Sequence, residues 1–463
     1  MDLKRFGDLN LAGGLRVHSA EGLPSASGLR VAFTGAGGKT TALFQLARQL
    51  REPVLVSSST HLSSSQLALA DRHFSIQTSQ ELETLKGQLF EGVVLITGLE
   101  NGDGRVLGLD GPLLERLHLL AGSESLPLLV EADGSRMLPL KAPAEHEPVI
   151  PTFSNLVVVV AGMSGMGRAL DSKSVHRPER FSALSGLAFG EQVDGDAVVR
   201  VLLHPLGGLK GIPGSARRAV LLNQADHPDQ IEQASRMADK LLEGYPSVLV
   251  ASLGRPDPKV LSVHEKTAGI ILAAGRSSRL GAPKQLLGWH GIPFVRHVAQ
   301  RALSAGLAPV IVVSGAYAAE VEAALQALQV RIAYNPDWEL GQSTSVQAGI
   351  RAVLSENGSA IFLLSDQPQV TEKLLLELIQ AHSRSLADIV APRVHGKRAN
   401  PVLFDRRIFS ELLQLQGDTG GRALFEDGER FPVHWIDWDD ASLLLDVDTP
   451  QDYQRLISLV QEP

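Results

Sequence analysis

The sequence contains no cysteine in its 463 residues. That excludes disulfides, thiolate zinc sites, iron–sulfur ligation and a cysteine nucleophile. Its 14 histidines include no H-E-x-x-H pairing, so the corresponding zinc-hydrolase arrangement is missing too. Basic residues are in deficit. The formal net charge is −8, and without a basic footprint nucleic-acid binding is not expected. An anionic ligand would have to be met at local basic or amide-rich sites. No apolar run is long enough to cross a bilayer. The opening stretch MDLKRFGDLNLAGGLRVHSAEG lacks the apolar centre of a secretory signal. The expectation is a cytoplasmic protein without membrane association.

What is present is ordinary globular material, 44% hydrophobic and 20% charged. The length suggests roughly two to four domains. Runs such as LRVAFTG (29–35), GVVLITG (92–98), LPLLVEAD (126–133), LVVVVAG (156–162), AVLLNQ (219–224) and SVLVASL (247–253) are apolar on successive residues. Such runs suit parallel strands buried on both faces. Helical stretches lie between them. The segment LGRPDPKVLSVHEKTAG (253–269) is rich in turn formers and reads as a linker. Strand–helix alternation then restarts with TAGIILAAG, APVIVVSG, VRIAYN, SAIFLLSD and ADIVAP. The fold class expected is α/β, with two doubly wound domains of mainly parallel sheets, residues 1–262 and 263–463. Ligands then belong at the carboxyl ends of strands.

Two such ends carry glycine-rich turns followed by basic residues. In ILAAGRSSRLGAPKQLL (271–287), Leu272, Ala273, Ala274 and Gly275 would let backbone approach a nucleotide. Arg279 and Lys284 would supply positive charge to a polyphosphate. Asp366 ends an apolar strand, and Asp446 and Asp448 sit two apart on an extended segment. These carboxylates are the candidate Mg²⁺ ligands. For Asp366 alone, a helix cap before Pro368 is the plainer reading.

This half resembles the MobA-like nucleotidyltransferases, whose signature is G-x-x-x-R-[ML]-G-x-x-K, and most closely the MocA-type molybdenum cofactor cytidylyltransferases. FLLSDQPQV (362–370), GKRANPVLF (396–404), GDTGGRAL (417–424) and LLDVDTPQDY (444–453) resemble further family segments in order. Ser365 and Leu280 depart from the family's more usual Gly and Met. The resemblance implies a Rossmann-like nucleotidyltransferase using Mg²⁺, CTP and molybdopterin. Arg279, Lys284 and Asp366 would be catalytic, and Asn400 and Pro401 would lie near the acceptor. It also implies base, ribose or pterin contacts from Gln285, Ser343, Thr344 or Ser345. Another nucleotide or acceptor remains an open alternative.

The earlier turn, GAGGKTT (35–41), opens a helix after a strand. Gly35, Gly37 and Gly38 allow close backbone approach, Lys39 can reach phosphates, and Thr40 and Thr41 sit at an anion-favouring helix start. Phe33 stands where a complete phosphate-loop motif has its first glycine. A glycine-rich turn with no ligand is the bland alternative. Glu131 and Asp133 end a strand as candidate metal ligands with Thr40. Asn223 and Asp226 form an N-x-x-D suited to reading guanine, although Gln224 replaces the usual lysine and a plain turn fits equally. ATP or GTP is the expected nucleotide. Arg177 and Arg180 in VHRPER would add anion-binding charge or be merely solvated.

This half resembles the YqeC-type accessory proteins linked to selenium-dependent molybdenum hydroxylases. The matching stretches are GAGGKTT, VSSSTHL, VEADGSRMLPLKAPAEHEPVIP and VHRPE. His61, Lys141, His146 and Glu147 would be family positions, and an apo-hydroxylase would be a partner. The combined expectation is cofactor maturation, with the N-terminal half either modifying the cofactor or carrying it.

Overall fold

The computed structural model describes residues 9–17, 28–50, 53–87, 91–101, 104–276 and 282–458. The chain divides into two compact units, one from Asp8 to His264 and one from Glu265 onward.

The first unit is built on nine strands: β1 (Arg30–Gly35), β2 (Val54–Ser58), β3 (Arg72–Ser75), β4 (Val93–Thr97), β5 (Leu128–Glu131), β6 (Leu156–Gly162), β7 (Arg217–Asn223), β8 (Ser247–Ser252) and β9 (Lys259–Glu265). Their order across the sheet is β9-β8-β7-β6-β1-β5-β2-β4-β3. Every pairing from β8 across to β3 is parallel. Strands β2, β4, β5 and β6 are buried along their whole length, as their unbroken apolar runs require. Strand β3 lies at the edge and is largely exposed, so RHFS gives no apolar signal in the sequence.

The proposed linker is mostly strand. Only residues 253–258 turn; β9 follows, and Lys266 alone separates it from the next strand. Pairing along β8 takes up one side of the backbone of KVLSVHE, and Val260 and Val263 are buried.

The second unit contains β10 (Thr267–Ala273), β11 (Val310–Ser314), β12 (Val330–Tyr334), β13 (Ser359–Leu364), β14 (Ile389–Val394), β15 (Lys397–Arg398), β16 (Val402–Asp405) and β17 (Val433–Asp437). The order is β12-β11-β10-β13-β16-β14-β15, with β17 on β14. Strands β12 to β13 are parallel, whereas β16 is antiparallel to both β13 and β14. Strands β15 to β17 are short, and of them only β16 is an apolar run. Alternate residues feed two cores. Ile271, Val312 and Leu363 pack on one face, and Ile270, Ile311 and Phe362 on the other. The protein is therefore mixed α/β with mainly parallel sheets. In each unit the carboxyl ends of parallel strands gather at one edge.

After β1, the chain reverses into helix α1 (Lys39–Gln49) through a turn that only glycine can make. Gly35, Gly37 and Gly38 have φ of 92°, 87° and 111°. A Cβ on Gly35 would lie 2.2 Å from the Val160 carbonyl oxygen, and one on Gly37 would lie 2.3 Å from the Gly162 nitrogen. Both the left-handed backbone and the crowding penalise a side chain. Gly35→Ala should therefore cost about 2–5 kcal/mol of stability. A chemical denaturation midpoint unchanged from wild type would contradict this account of the turn.

Candidate functional site

In the second unit, β10 ends beneath a cleft of about 590 Å³ lined by Gly275, Lys284, Trp338, Leu340, Asp366 and Asp418 among others. That volume accommodates a nucleotide-sized ligand. Leu272 and Ala274 also line it, while Ala273 ends the strand and is buried. Among the described residues, leaving out its two chain neighbours, no atom lies within 4 Å of where a Cβ on Gly275 would sit. No described residue packs against it, and it lines the cleft. The buried Gln285 side chain donates to the Gly275 carbonyl at 3.2 Å and holds this turn. Arg276 lines the cleft; Arg279 lies outside the described residues.

Lys284 pairs with Asp448 and stands 3.8 Å from Asp366. Burial pushes the Asp366 carboxyl above its ordinary range; Lys284 opposes the shift, and Asp446 and Asp448 add to it. The three acids are therefore electrostatic neighbours although they come from distant segments. Gln367 and Gln369 make this possible. Gln367 donates to Asp446 at 2.8 Å, and Gln369 donates to the carbonyls of Leu445 and Ser442 at 2.9 and 3.2 Å. These two glutamines escaped the motif reading, although D-Q-P-Q carried the signal.

Among the described residues, no cluster of three or more His, Asp or Glu side chains is arranged to hold a metal alone. The donor set instead suits Mg²⁺ held by one or two carboxylates and completed by substrate phosphates. Excess negative charge around the half-buried Asp366 fits such a cation.

Of the hydroxyl residues suggested as contacts, Ser345 lines the cleft. Thr344 is spent on structure, donating to the Gly341 carbonyl at 2.9 Å and the Asp337 carbonyl at 3.0 Å. Ser343 is buried, with its amide on the Gly417 carbonyl at 3.1 Å. Asn400 and Pro401 precede β16, whose antiparallel register sets Val402 opposite Phe362. They therefore extend toward the end of β13 that leads into Asp366.

In the first unit, the strand ends gather a chain of alternating charges. Lys39 is buried, donates to the Gly35 carbonyl at 2.8 Å and lies 3.6 Å from Glu131 and 3.5 Å from Asp133. Lys141 bridges Asp133 at 2.8 Å and Glu147 at 2.9 Å. Arg177 closes the chain with a two-pronged pair on Glu147, at 2.7 and 2.9 Å. Thr40 donates to Glu131 at 2.7 Å, and Thr41 follows in the first turn of α1. Burial pushes the Glu131 carboxyl upward, with Lys39 opposing.

The loop amides are partly spent. Gly35, Ala36 and Gly37 donate to Asp133, the Val160 carbonyl and the Leu138 carbonyl. Asn223 donates to the Gly37 carbonyl at 2.9 Å and accepts from the Leu253 amide at 3.1 Å, so it braces the loop. Asp226 is exposed and accepts from Ser252. Arg180 pairs with Glu145. His61 is exposed just before a short strand, and His146 is exposed in a turn.

For Glu147, burial acts upward, but hydrogen bonds and charge from Arg177 and Lys141 outweigh it, lowering the carboxyl from 4.5 to about 2. A depressed carboxylate stabilises the fold above its unfolded value and loses that contribution as pH falls through the folded one. Glu147→Gln should therefore lower Tm at neutral pH, with the gap to wild type closing between pH 4.5 and about 2. A gap independent of pH would refute this assignment. Gly275→Ala, by contrast, should leave Tm unchanged while weakening nucleotide binding in a titration.

Comparison with known proteins matches each half separately. Residues 31–179 match the family model described as YqeC protein, and residues 269–431 that of the MobA-like NTP transferase domain. The protein YqeC of Escherichia coli (strain K12) is 30% identical over 199 residues, covering 42% of this chain and 75% of that protein. Nicotine blue oxidoreductase of Paenarthrobacter nicotinovorans is 32% identical over 197 residues, 41% of this chain and 95% of the relative. Molybdenum cofactor cytidylyltransferase of Escherichia coli (strain K12) is 27% identical over 185 residues, 40% of this chain and 92% of the relative. The two glycine turns thus head two separate inheritances: the chain belongs to the YqeC family through its N-terminal half and to the MobA-like NTP transferases through its C-terminal half.

Proposed function

We propose that the C-terminal unit transfers CMP from CTP to the phosphate of molybdopterin-bound molybdenum, releasing pyrophosphate. The observation that carries this reading is the juxtaposition of Lys284 with Asp366 and Asp448 beside the open Gly275 turn. An acceptor phosphate oxygen attacks the α-phosphorus of CTP. The bond from that phosphorus to the bridging oxygen breaks, and pyrophosphate leaves with the electron pair. Lys284 and Arg276 offset the negative charge of the triphosphate, with Arg279 as a further expected donor. Asp366, with Asp446 or Asp448, would hold Mg²⁺, which neutralises charge on the phosphates when bound. Asn400 and Pro401 border the acceptor. Similarity to a molybdenum cofactor cytidylyltransferase supports the choice of CTP and molybdopterin.

Lys284→Ala should lower kcat for CTP-dependent pyrophosphate release by about 10²–10³-fold. Asp366→Asn should abolish release while keeping Tm at or above wild type. No pyrophosphate from any nucleotide triphosphate with molybdopterin would end the transferase reading. This readout also separates it from redox chemistry of the kind named for the Paenarthrobacter relative.

The N-terminal unit, on this proposal, binds ATP or GTP at a variant P-loop and assists maturation of a cofactor destined for a molybdenum hydroxylase. Gly38, Lys39, Thr40 and Thr41 would meet the phosphates, with Glu131 and Asp133 on the metal side. A second reading makes this half a carrier or switch without turnover. It is favoured by the loop amides already bonded within the protein and by Lys39 lying against Gly35, Glu131 and Asp133. Lys39→Ala in the full chain should weaken ATP or GTP binding at least tenfold and leave CTP-dependent pyrophosphate release intact. Hydrolysis lost in that variant would mark an NTPase; binding without hydrolysis would mark the carrier. Absence of binding in the wild type would reduce GAGGKTT to a structural turn.

A further inference from the structure

We propose that Arg398 and Arg422 form an anion subsite beside the nucleotide cleft, built to take a phosphate monoester of the acceptor. The identity of the phosphate's carrier rests on the transferase reading above; the site itself rests on geometry. Arg398, on β15, lies with its guanidinium carbon 4.5 Å from the centre of the Phe425 ring. Phe425 ends a 3₁₀ turn, Gly420–Phe425, in which side chains three residues apart eclipse. Arg422 and Phe425 therefore share a face, and Arg398 stacks on that face. The ring is itself fixed, 6.5 Å from Phe404 and 5.9 Å from the half-exposed Trp435.

Arg398 is thus placed on the turn that carries Arg422. Burial and then the Arg422 charge hold Arg398 below its ordinary value. Among the described residues, neither has an ion-pair partner, although elsewhere in this unit Arg393 and Arg430 each have one and Arg407 has two. Adjacent like charges repel, and a stacked arginine loses freedom to move away. Such a pair is completed by an external dianion, because two planar forks match the oxygens of one phosphate.

The position selects the acceptor side. Arg422 follows Asp418, a cleft-lining residue, by four positions on one loop. Arg398 precedes Asn400 by two, and Asn400 extends toward the end of β13. The triphosphate already has its own provision in Gly275, Arg276 and Lys284.

The test uses the full chain with the nucleotide cleft filled by α,β-methylene-CTP. Inorganic phosphate is then titrated calorimetrically into wild type, Arg398→Gln and Arg422→Gln. Wild type should bind phosphate with the analogue present, each variant should bind at least tenfold more weakly, and rising salt should weaken the wild type. Equal binding in all three proteins, or none in wild type, would overturn the subsite. Displacement of phosphate by the analogue would assign the pair to the triphosphate and also overturn it. Pyrophosphate release from CTP and molybdopterin is measured in parallel. A raised acceptor KM with unchanged CTP KM in the variants supports the acceptor as source; the reverse refutes it. Phosphate binding without any release in wild type would leave the anion site standing and remove the transferase reading.

Discussion

Strands buried on both faces leave nowhere but their ends for polar chemistry, and this constraint organises both units. Along β1, β5, β6, β10 and β13 the interior is almost entirely apolar. The first charged or small residues appear where the strand leaves the sheet. Parallel pairing then aligns those exits at one edge. Glu131, Asp133 and Lys39 meet for that reason, as do Gly275, Asp366 and the segment carrying Asp448. Residues remote in sequence become neighbours because their strands share a direction.

The two glycine turns look alike in sequence but answer different demands. Gly35, Gly37 and Gly38 are forced by positive φ, and Gly35 and Gly37 also by neighbouring backbone. Gly275 has no positive φ, and no described residue beyond its chain neighbours crowds the place of its Cβ. A glycine required by its own fold says little about a ligand. One facing an open cleft, with small neighbours and basic residues nearby, says more.

This difference also shows what the sequence could convey. Uninterrupted apolar runs announced the buried strands, and β6 coincides with LVVVVAG. Polar or short strands give little signal: β3 is exposed, β9 hides behind two prolines, β15 is only Lys397–Arg398, and the apolar run of β16 is just three residues long. For the site, residue type pointed to Lys284 and Asp366 before their contact was known. The clasp formed by Gln367 and Gln369 was not legible, because an amide's partner depends on where a distant segment passes. The same limit applies to Asn223. Its spacing suggested base recognition, while its observed bonds go to the Gly37 carbonyl and the Leu253 amide.

Charge balance separates the two sites further. In the N-terminal unit, Lys39, Lys141 and Arg177 alternate with Glu131, Asp133 and Glu147, so the buried network is neutral within itself. Buried charges persist only when paired, and here the chain supplies every partner. A ligand entering this loop must compete with existing bonds, which suits a switch between two states better than a permanently open receptor. Among the described residues of the C-terminal unit the charges gather in two places of opposite sign. Asp366, Asp446 and Asp448 crowd together with Lys284 between two of them, while Arg398 and Arg422 have no carboxylate partner among the described residues. A divalent cation would complete the first and a phosphate dianion the second. Those are the two charged species that a phosphate acceptor and a metal-bound triphosphate bring, so the domain's unpaired charges mirror the substrates of the proposed transfer.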